Sequence, residues 1–387
     1  MQPGQDWAGT VVIYATNPWD GVKFQDRHLA ERLTRYAPVL YVNRPISRLT
    51  RRRGPERLAA LTGPRLRRIG PRLAVLTPEA LPGPERRYIA PVTERLVHRR
   101  VEQAIAELGG SIGAVIDGSV LLESLGAYSG VRKVFWAQDD YVGGADLFGQ
   151  DPARIARNEV RHARAADVIV ASSPMVAGQW RARGFDPELI PFGCDAAQYA
   201  DVDAFAPATD VTLPAPIVGS VGYLNDRIDI ELLLEIARRG RSLLLVGGIH
   251  SSFDAGRLDE LLAFRNVQWV GFKEFTDLPP YFRAIDVGVV PYTRSVFNLG
   301  SFPLKTLEYL AAGRAVVATD LPSTRWLDTD LIEIASTPTD FADVVDRALE
   351  HERSADDVAR RQAFARRHTW DERARAWAGV LGLDPAS

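Results

Sequence analysis

Lys305 and Glu308 lie three residues apart in FNLGSFPLKTLEYLAAGRAVVATD, and Lys305 is one of only four lysines among 47 basic side chains. Ser301 as an N-cap, Pro303 in the first turn and Gly313 after Ala312 predict a helix over about Phe302 to Ala312. Leu304, Leu307, Leu310 and Ala311 form its apolar stripe, and Lys305 and Glu308 share a face beside it. Free amides and the positive dipole end of such an N-terminus favour an anion by about 0.3–1 kcal/mol, more when partly buried. An ammonium one turn in and a carboxylate one turn deeper suit a diphosphate at the helix tip with a ribose alongside, Glu308 accepting two hydroxyl hydrogen bonds. An exposed ion pair on a surface helix, worth roughly a few tenths of a kcal/mol, accounts for these two residues equally well.

Further candidates lie in the first half. Asp139 and Asp140 follow the apolar run KVFWA, where paired acids can divide a proton-transfer role, one titrating high because of the other. Capping the next turn is the alternative for each. Asp20 and His28 flank the loop after the first apolar run and are weaker candidates on the acceptor side, His28 reading as a surface residue of the helix DRHLAERL. Trp19 and Trp136 can stack on a sugar, although core packing is the commoner fate of tryptophan. D-x-D occurs at Asp201–Asp203 and Asp328–Asp330; neither follows a long apolar strand, and no metal is expected. Cys194, the single cysteine, has no histidine nearby and reads as a small packed residue.

The elements that must hold these groups recur along the chain. Short apolar runs alternate with amphipathic segments, the pattern of parallel sheets covered by helices. In the first half the predicted strands are Val11 to Ala15, Val39 to Val42, Leu73 to Leu76, Ala114 to Asp117, Lys133 to Ala137 and Asp167 to Ser172. Residues 196–216 lose this periodicity and gather Pro, Ala and Asp, as a linker does. A second series follows at Ile217 to Val221, Ser242 to Val246, Val267 to Val270, Asp286 to Val290 and Ala315 to Thr319. Thr369 and Glu372 fit a capping box that starts the last helix. The expectation is α/β: a domain over 1–200, a linker over 201–215, a second domain over 216–368, and a closing segment over 369–387. Both domains should be doubly wound, with ligands at the carboxyl ends of the strands.

At 387 residues, with 46% hydrophobic and 25% charged side chains, the chain is long enough for two cores and has globular composition. No export or membrane-spanning segment is expected. The net charge of −2 hides an asymmetry, because residues Arg44 to Arg100 hold fifteen arginines against four glutamates. That region reads either as a surface for anionic lipid headgroups, where each cation adds about 1 kcal/mol, or as solvated loops.

The run VQWVGFKEFTDLPPYFRAIDVGVVPY followed by NLGSFPLKTLEYLAAGRAVVAT resembles the donor-binding half of family-4-like GT-B glycosyltransferases. PFGCDAAQY resembles the N-G-x-D segment before their linker, GYLNDRIDIELL the first strand-loop-helix of their second domain, and HTWDERARAW their closing helix. ATNPWDGVKFQDRHLAERL and VFWAQDDY resemble, more loosely, bacterial enzymes of the teichuronic-acid and cell-surface polysaccharide type. The resemblance implies two Rossmann-like domains facing across a cleft, with the C-terminal helix crossing back to the first. It implies Glu308 on the ribose, Lys305 and Arg227 on the diphosphate, and the backbone from Phe272 through Lys273 to Phe275 framing the base. Gly21 would lie in the loop closing over the phosphates, and Tyr292 and the amides of Leu304 and Lys305 are further donor-side candidates. Many retaining members carry a second glutamate eight residues before the ribose glutamate, and here that position is Gly300.

The function so implied is metal-independent transfer of a sugar from a UDP-, GDP- or dTDP-linked donor to a hydroxyl of a small-molecule or lipid-linked glycan acceptor. It needs no cofactor beyond the donor co-substrate and no nucleic acid. The expected place is the cytoplasm, with the basic region a contact to the inner face of the membrane. A sugar-nucleotide epimerase of the same fold and a non-catalytic nucleotide-binding subunit are the competing readings. A nicotinamide dehydrogenase ranks below them, because no strand is followed by G-x-G-x-x-G.

Overall fold

The computed structural model describes residues 7–47, 64–84, 86, 88–250 and 253–383. The chain divides into two compact units, Met1–Ser172 with Val176–Ile190 and Arg373–Ser387, and Ser173–Met175 with Pro191–Glu372. All eleven predicted strands are present, most within a residue or two of their expected ends.

In the first unit the strands are β1 (Thr10–Tyr14), β2 (Val39–Val42), β3 (Leu66–Gly70), β4 (Leu73–Leu76), β5 (Ile112–Asp117), β6 (Arg132–Ala137), β7 (Val168–Ala171) and β8 (Glu188–Leu189). They form one sheet in the order β3-β4-β2-β1-β5-β6-β7-β8, parallel except for the antiparallel β3–β4 pair at one edge. β1, β2 and β4 are buried at every position, so their near-continuous Val, Ile and Leu runs fit a parallel sheet covered on both faces. Trp136 belongs to this core: its indole N–H donates to Ser172 Oγ at 3.0 Å and its ring meets Trp377 edge-on at 5.1 Å.

The second sheet holds β9 (Ile217–Val221), β10 (Ser242–Val246), β11 (Val267–Trp269), β12 (Val287–Val290), β13 (Ala315–Thr319) and β14 (Ile332–Ala335). Its order is β11-β10-β9-β12-β13-β14, and every neighbouring pair is parallel. Counted along the chain this is the doubly wound order 3-2-1-4-5-6, whose reversal falls between β9 and β12, the point where such sheets open a ligand crevice.

At that reversal Gly219 of β9 and Gly288 of β12 are register partners. The missing side chain of Gly288 leaves room for the buried ring of Tyr309, whose hydroxyl donates to Gly219 O at 2.9 Å and accepts from Val221 N at 2.8 Å, and that of Gly219 leaves room for Ile285. A Cβ on Gly288 would lie within 2.6 Å of three Tyr309 ring carbons. Strand glycines here mark close approach of a neighbour. At Gly288 the neighbour is the helix Leu304–Ala311, which carries Lys305 and Glu308.

The segment read as a linker is fastened within the second unit. Asp203 pairs with the fully buried Arg314 at 2.5 Å, and Asp210 takes Lys273 Nζ at 2.6 Å and the Tyr281 hydroxyl at 2.9 Å. In the last helix (Trp370–Leu381) Thr369 Oγ1 accepts from Glu372 N at 3.3 Å, the N-cap half of the expected box. Cys194 is buried, with its thiol against Ala365 O. Among the described residues, no helix is long and apolar enough to cross a membrane.

Candidate functional site

The loops after β9 and β12 meet at the reversal point. They are joined by an Ile228–Tyr292 bridge and by Asp229 N donating to Pro291 O at 2.7 Å and Thr293 N to Arg227 O at 2.8 Å. Arg227, half-buried, lies between two rings, its guanidinium carbon 4.9 Å from the Tyr292 centroid and 5.0 Å from that of Phe297. Its Nε donates to Asn298 Oδ1 at 2.8 Å. No carboxylate pairs with it among the described residues, so its charge is held in place by neutral groups. Two expected donor-side residues, Arg227 and Tyr292, are thus in contact.

Lys305 and Glu308 are also brought together, Nζ to Oε2 at 2.6 Å, with Glu308 only 7% exposed and Lys305 26%. The pair is therefore part-buried and not the exposed decoration that sequence left open. Gly222, after β9, has φ +146°, a conformation suited to glycine, and a Cβ there would lie 3.8 Å from Lys305 Cε. The lysine therefore reaches the loop that opens the crevice. Three details differ from expectation. The helix begins at Leu304 and is preceded by Pro303 with no side-chain cap. Ser301 instead closes the short helix Val296–Gly300, its hydroxyl donating to Phe297 O at 3.1 Å, because the chain turns twice within FNLGSFP. The Leu304 amide, expected to face an anion, donates to Phe302 O at 2.9 Å, which leaves the Lys305 amide for that role.

At the carboxyl ends of β9–β11, Phe272, Tyr223 and Trp269 are 45%, 40% and 40% exposed. The Tyr223 and Phe272 rings are 6.3 Å apart, and the Trp269 indole donates to Gly247 O at 2.8 Å. Large apolar surface left open beside a polar crevice suits the flat face of a base. The Lys273 ammonium does not join this group: it is committed to Asp210 and lies 5.0 Å from the Tyr281 ring centroid.

The first-unit candidates are more dispersed. Trp19 is buried, edge-on to Tyr41 at 5.1 Å, with Arg27 4.7 Å from its ring, so packing claims the side chain. His28 is buried at 4% exposure rather than on the helix surface, because the inward stripe of Gln25–Leu33 includes it. Asp20 is exposed and paired with Arg67, and Gly21 N closes a turn onto Pro18 O at 3.3 Å. Asp140 accepts from Gly143 N and Gln179 Nε2, both at 2.8 Å, the turn-capping alternative; Asp139 beside it is half-buried.

Sequence reasoning missed the polar cluster at the reversal point of the first sheet. Asp26, wholly buried, accepts from Gln138 Nε2 at 2.6 Å and Asn17 Nδ2 at 2.8 Å. Burial raises its pKa, and the hydrogen bonds from Asn17 and Gln138 oppose the rise. Nearby strand ends also form a small pocket lined by Tyr14, Asn43, Arg44, Glu94, Ser119 and Ser124. Among the described residues, no three His, Cys, Asp or Glu side chains are grouped as metal ligands. Of the two D-x-D motifs, Asp203 serves Arg314 and Asp330 pairs with Arg360.

Residues 215–351 match the family model described as Glycosyl transferases group 1. The protein named as a teichuronic acid biosynthesis glycosyltransferase, TuaH, of Bacillus subtilis (strain 168) is 31% identical over 161 residues. That stretch spans 40% of this chain and 40% of the length of that relative. Among solved structures, sucrose-phosphate synthase from Thermosynechococcus elongatus aligns with a TM-score of 0.68 at 19% identity, covering 96% of each chain. Anabaena HepE in complex with UDP and glucose aligns at 0.67 and 16% identity, over 97% of this chain and 99% of that one. The E. coli trehalose-6-phosphate structure bound with UDP-2-fluoro glucose aligns at 0.69 and 12% identity, over 97% of this chain and 100% of that one. At these identities the structural likeness establishes the fold, and the family-model match over residues 215–351 includes Arg227, Lys305 and Glu308. Over residues 215–351, most of the second unit, the chain is thus similar to the group 1 glycosyltransferases, and as a whole it shares the two-sheet fold of these solved structures.

Proposed function

We propose that the protein moves a sugar from a nucleoside-diphosphate sugar, UDP-linked in the simplest case, to a hydroxyl of a glycan acceptor. The observation that carries this reading is Arg227: a cation fixed at the reversal point of the second sheet with no carboxylate paired to it among the described residues. In this reading the guanidinium, the Lys305 ammonium and the Lys305 amide receive the diphosphate. When it binds, Lys305 turns from Glu308 to phosphate, and Glu308 is released to accept the ribose hydroxyls. The base rests on Phe272 and Tyr223. As the glycosidic bond breaks, negative charge grows on the departing diphosphate, and preorganised cations favour that state over the ground state. Two protein cations meet the diphosphate charge, so a resident metal is not required, and turnover persists in EDTA.

The acceptor is assigned to the first unit, with the pocket at Asn43, Arg44, Glu94 and Ser119 as its binding place and Asp139 as the group taking its proton. Incubation with a panel of nucleotide sugars tests the reading. Acceptor-dependent release of nucleotide supports transfer; epimerisation without acceptor supports the epimerase; binding with neither supports a non-catalytic subunit.

The acceptor is proposed to be membrane-borne. Val92, Arg95 and Arg99 share an exposed face of the helix Ala90–Leu108, opposite its buried Thr93, Val97 and Val101, and Tyr88 just before it is 84% exposed. A tyrosine and several arginines on one surface suit an anionic lipid interface. Part of the basic region, residues 48–63, lies outside the described residues. Co-sedimentation with phosphatidylglycerol vesicles but not phosphatidylcholine vesicles is expected, and equal behaviour with both contradicts the membrane assignment.

A further inference from the structure

The position where many relatives keep an acid is Gly300, whose carbonyl accepts a hydrogen bond from Ser173 Oγ. Two residues earlier, in the same short helix, Asn298 is wholly buried. Its Oδ1 accepts from Arg227 Nε at 2.8 Å. Its Nδ2 faces Arg227 O, Thr293 O and Thr293 Oγ1, each at 2.9 Å. One carboxamide thus grips both the side chain and the backbone of Arg227 and ties the loop after β9 to the loop after β12. A carboxylate could not replace it. It has no hydrogen to give the two carbonyls, and it would neutralise the guanidinium it held.

We propose that Asn298 is the positioning residue of the donor site: it fixes the Arg227 guanidinium at the reversal point while leaving its charge unspent for a nucleoside diphosphate. This rests on the donor-site reading above. It also explains why a neutral residue is required here. An acid in contact with Arg227 would orient it equally well through one bond but would compete with the incoming diphosphate for the same charge.

A double-mutant cycle tests the proposal, because residues acting through a shared contact are non-additive whereas independent ones add. Affinities for UDP and for uridine are measured by calorimetry on the full chain for wild type, Asn298→Ala, Arg227→Ala and the double variant. Asn298→Ala alone is expected to weaken UDP about tenfold and uridine less than about threefold. In the Arg227→Ala background the same change is expected to weaken UDP by less than about twofold, its effect having been exerted through the arginine. Thr293→Val, which removes one acceptor of the same amide and disturbs folding less, is expected to follow the pattern at about threefold. Equal losses for UDP and uridine, or the same loss in both backgrounds, overturn the positioning role and leave Asn298 as a loop fastener. If Arg227→Ala itself leaves the preference for UDP over uridine unchanged, the donor-site reading falls and this inference with it.

Discussion

Gly288→Ala adds a single methyl to a central strand, and its effect follows from what that methyl meets. It would lie within 2.6 Å of three ring carbons of Tyr309, which is fully buried. Carbon atoms settle at about 3.5–4.0 Å, so the ring must withdraw by about 1 Å. The ring cannot pivot freely, because its hydroxyl is held by Gly219 O and Val221 N at 2.9 and 2.8 Å. Overpacking of this kind costs about 1–3 kcal/mol, and weakening two buried hydrogen bonds adds about 1 kcal/mol. The sum, about 2–4 kcal/mol, corresponds to roughly 5–15 °C for a unit of this size. The displaced ring belongs to the helix that carries Lys305 and Glu308, so a shift of about 1 Å should weaken UDP binding about tenfold or more even well below the melting point. Scanning calorimetry gives the first quantity and titration calorimetry with UDP the second. A variant that melts within about 2 °C of wild type and binds UDP normally would refute the claim that the gap at Gly288 sets the helix position. At Gly219 the added Cβ meets three Ile285 carbons within 3.0 Å. Part of the loss there should be recovered by Ile285→Val, which trims the obstructing chain.

Lys305→Ala should weaken UDP about tenfold or more and uridine little, whereas Glu308→Ala should weaken both; equal losses from Lys305→Ala would remove its phosphate assignment. In the first unit, burial raises Glu159 to about 7 despite its bond and ion pair with Arg183. A carboxyl raised in the folded state contributes stability that is full below its unfolded pKa and lost as pH rises through 7. Glu159→Gln should therefore gain on wild type in Tm between pH 4.5 and 8 and level off above that; parallel curves would show that the charge is already solvated. Chelation by EDTA should leave turnover unchanged, and restoration of lost turnover by added Mg²⁺ would contradict metal independence.

Both sheets were legible because buried parallel strands write themselves as uninterrupted apolar runs, as in IVGSV and SLLLV. The strands that escaped notice lack that signature. β3, LRRIG, is an antiparallel edge with two adjacent arginines and no fully buried position; β8 has two residues; and IEIA of β14 is short and interrupted by Glu333. At the site, Lys305 and Glu308 were visible because both belong to one helix and their spacing alone puts them on one face. Asn298 was not, since it is one amide in an apolar run and its chief partner lies 71 residues away. Asp26 is one charge among several in DRHLAERL, and the partner Gln138 that holds it lies 112 residues distant. The Ser301 cap failed for a related reason: sequence supplied one helix where the chain makes two, and the hydroxyl served the earlier one.

The central claim is that Arg227 supplies an uncompensated charge to the diphosphate of a nucleotide donor. Titration calorimetry of wild type and Arg227→Ala with UDP and with uridine tests it most directly. Wild type is expected to bind UDP at least about tenfold more tightly than uridine, and Arg227→Ala to remove most of that preference while sparing uridine. A wild-type protein that binds the two ligands alike, or an Arg227→Ala variant that keeps the full preference for UDP, would contradict it.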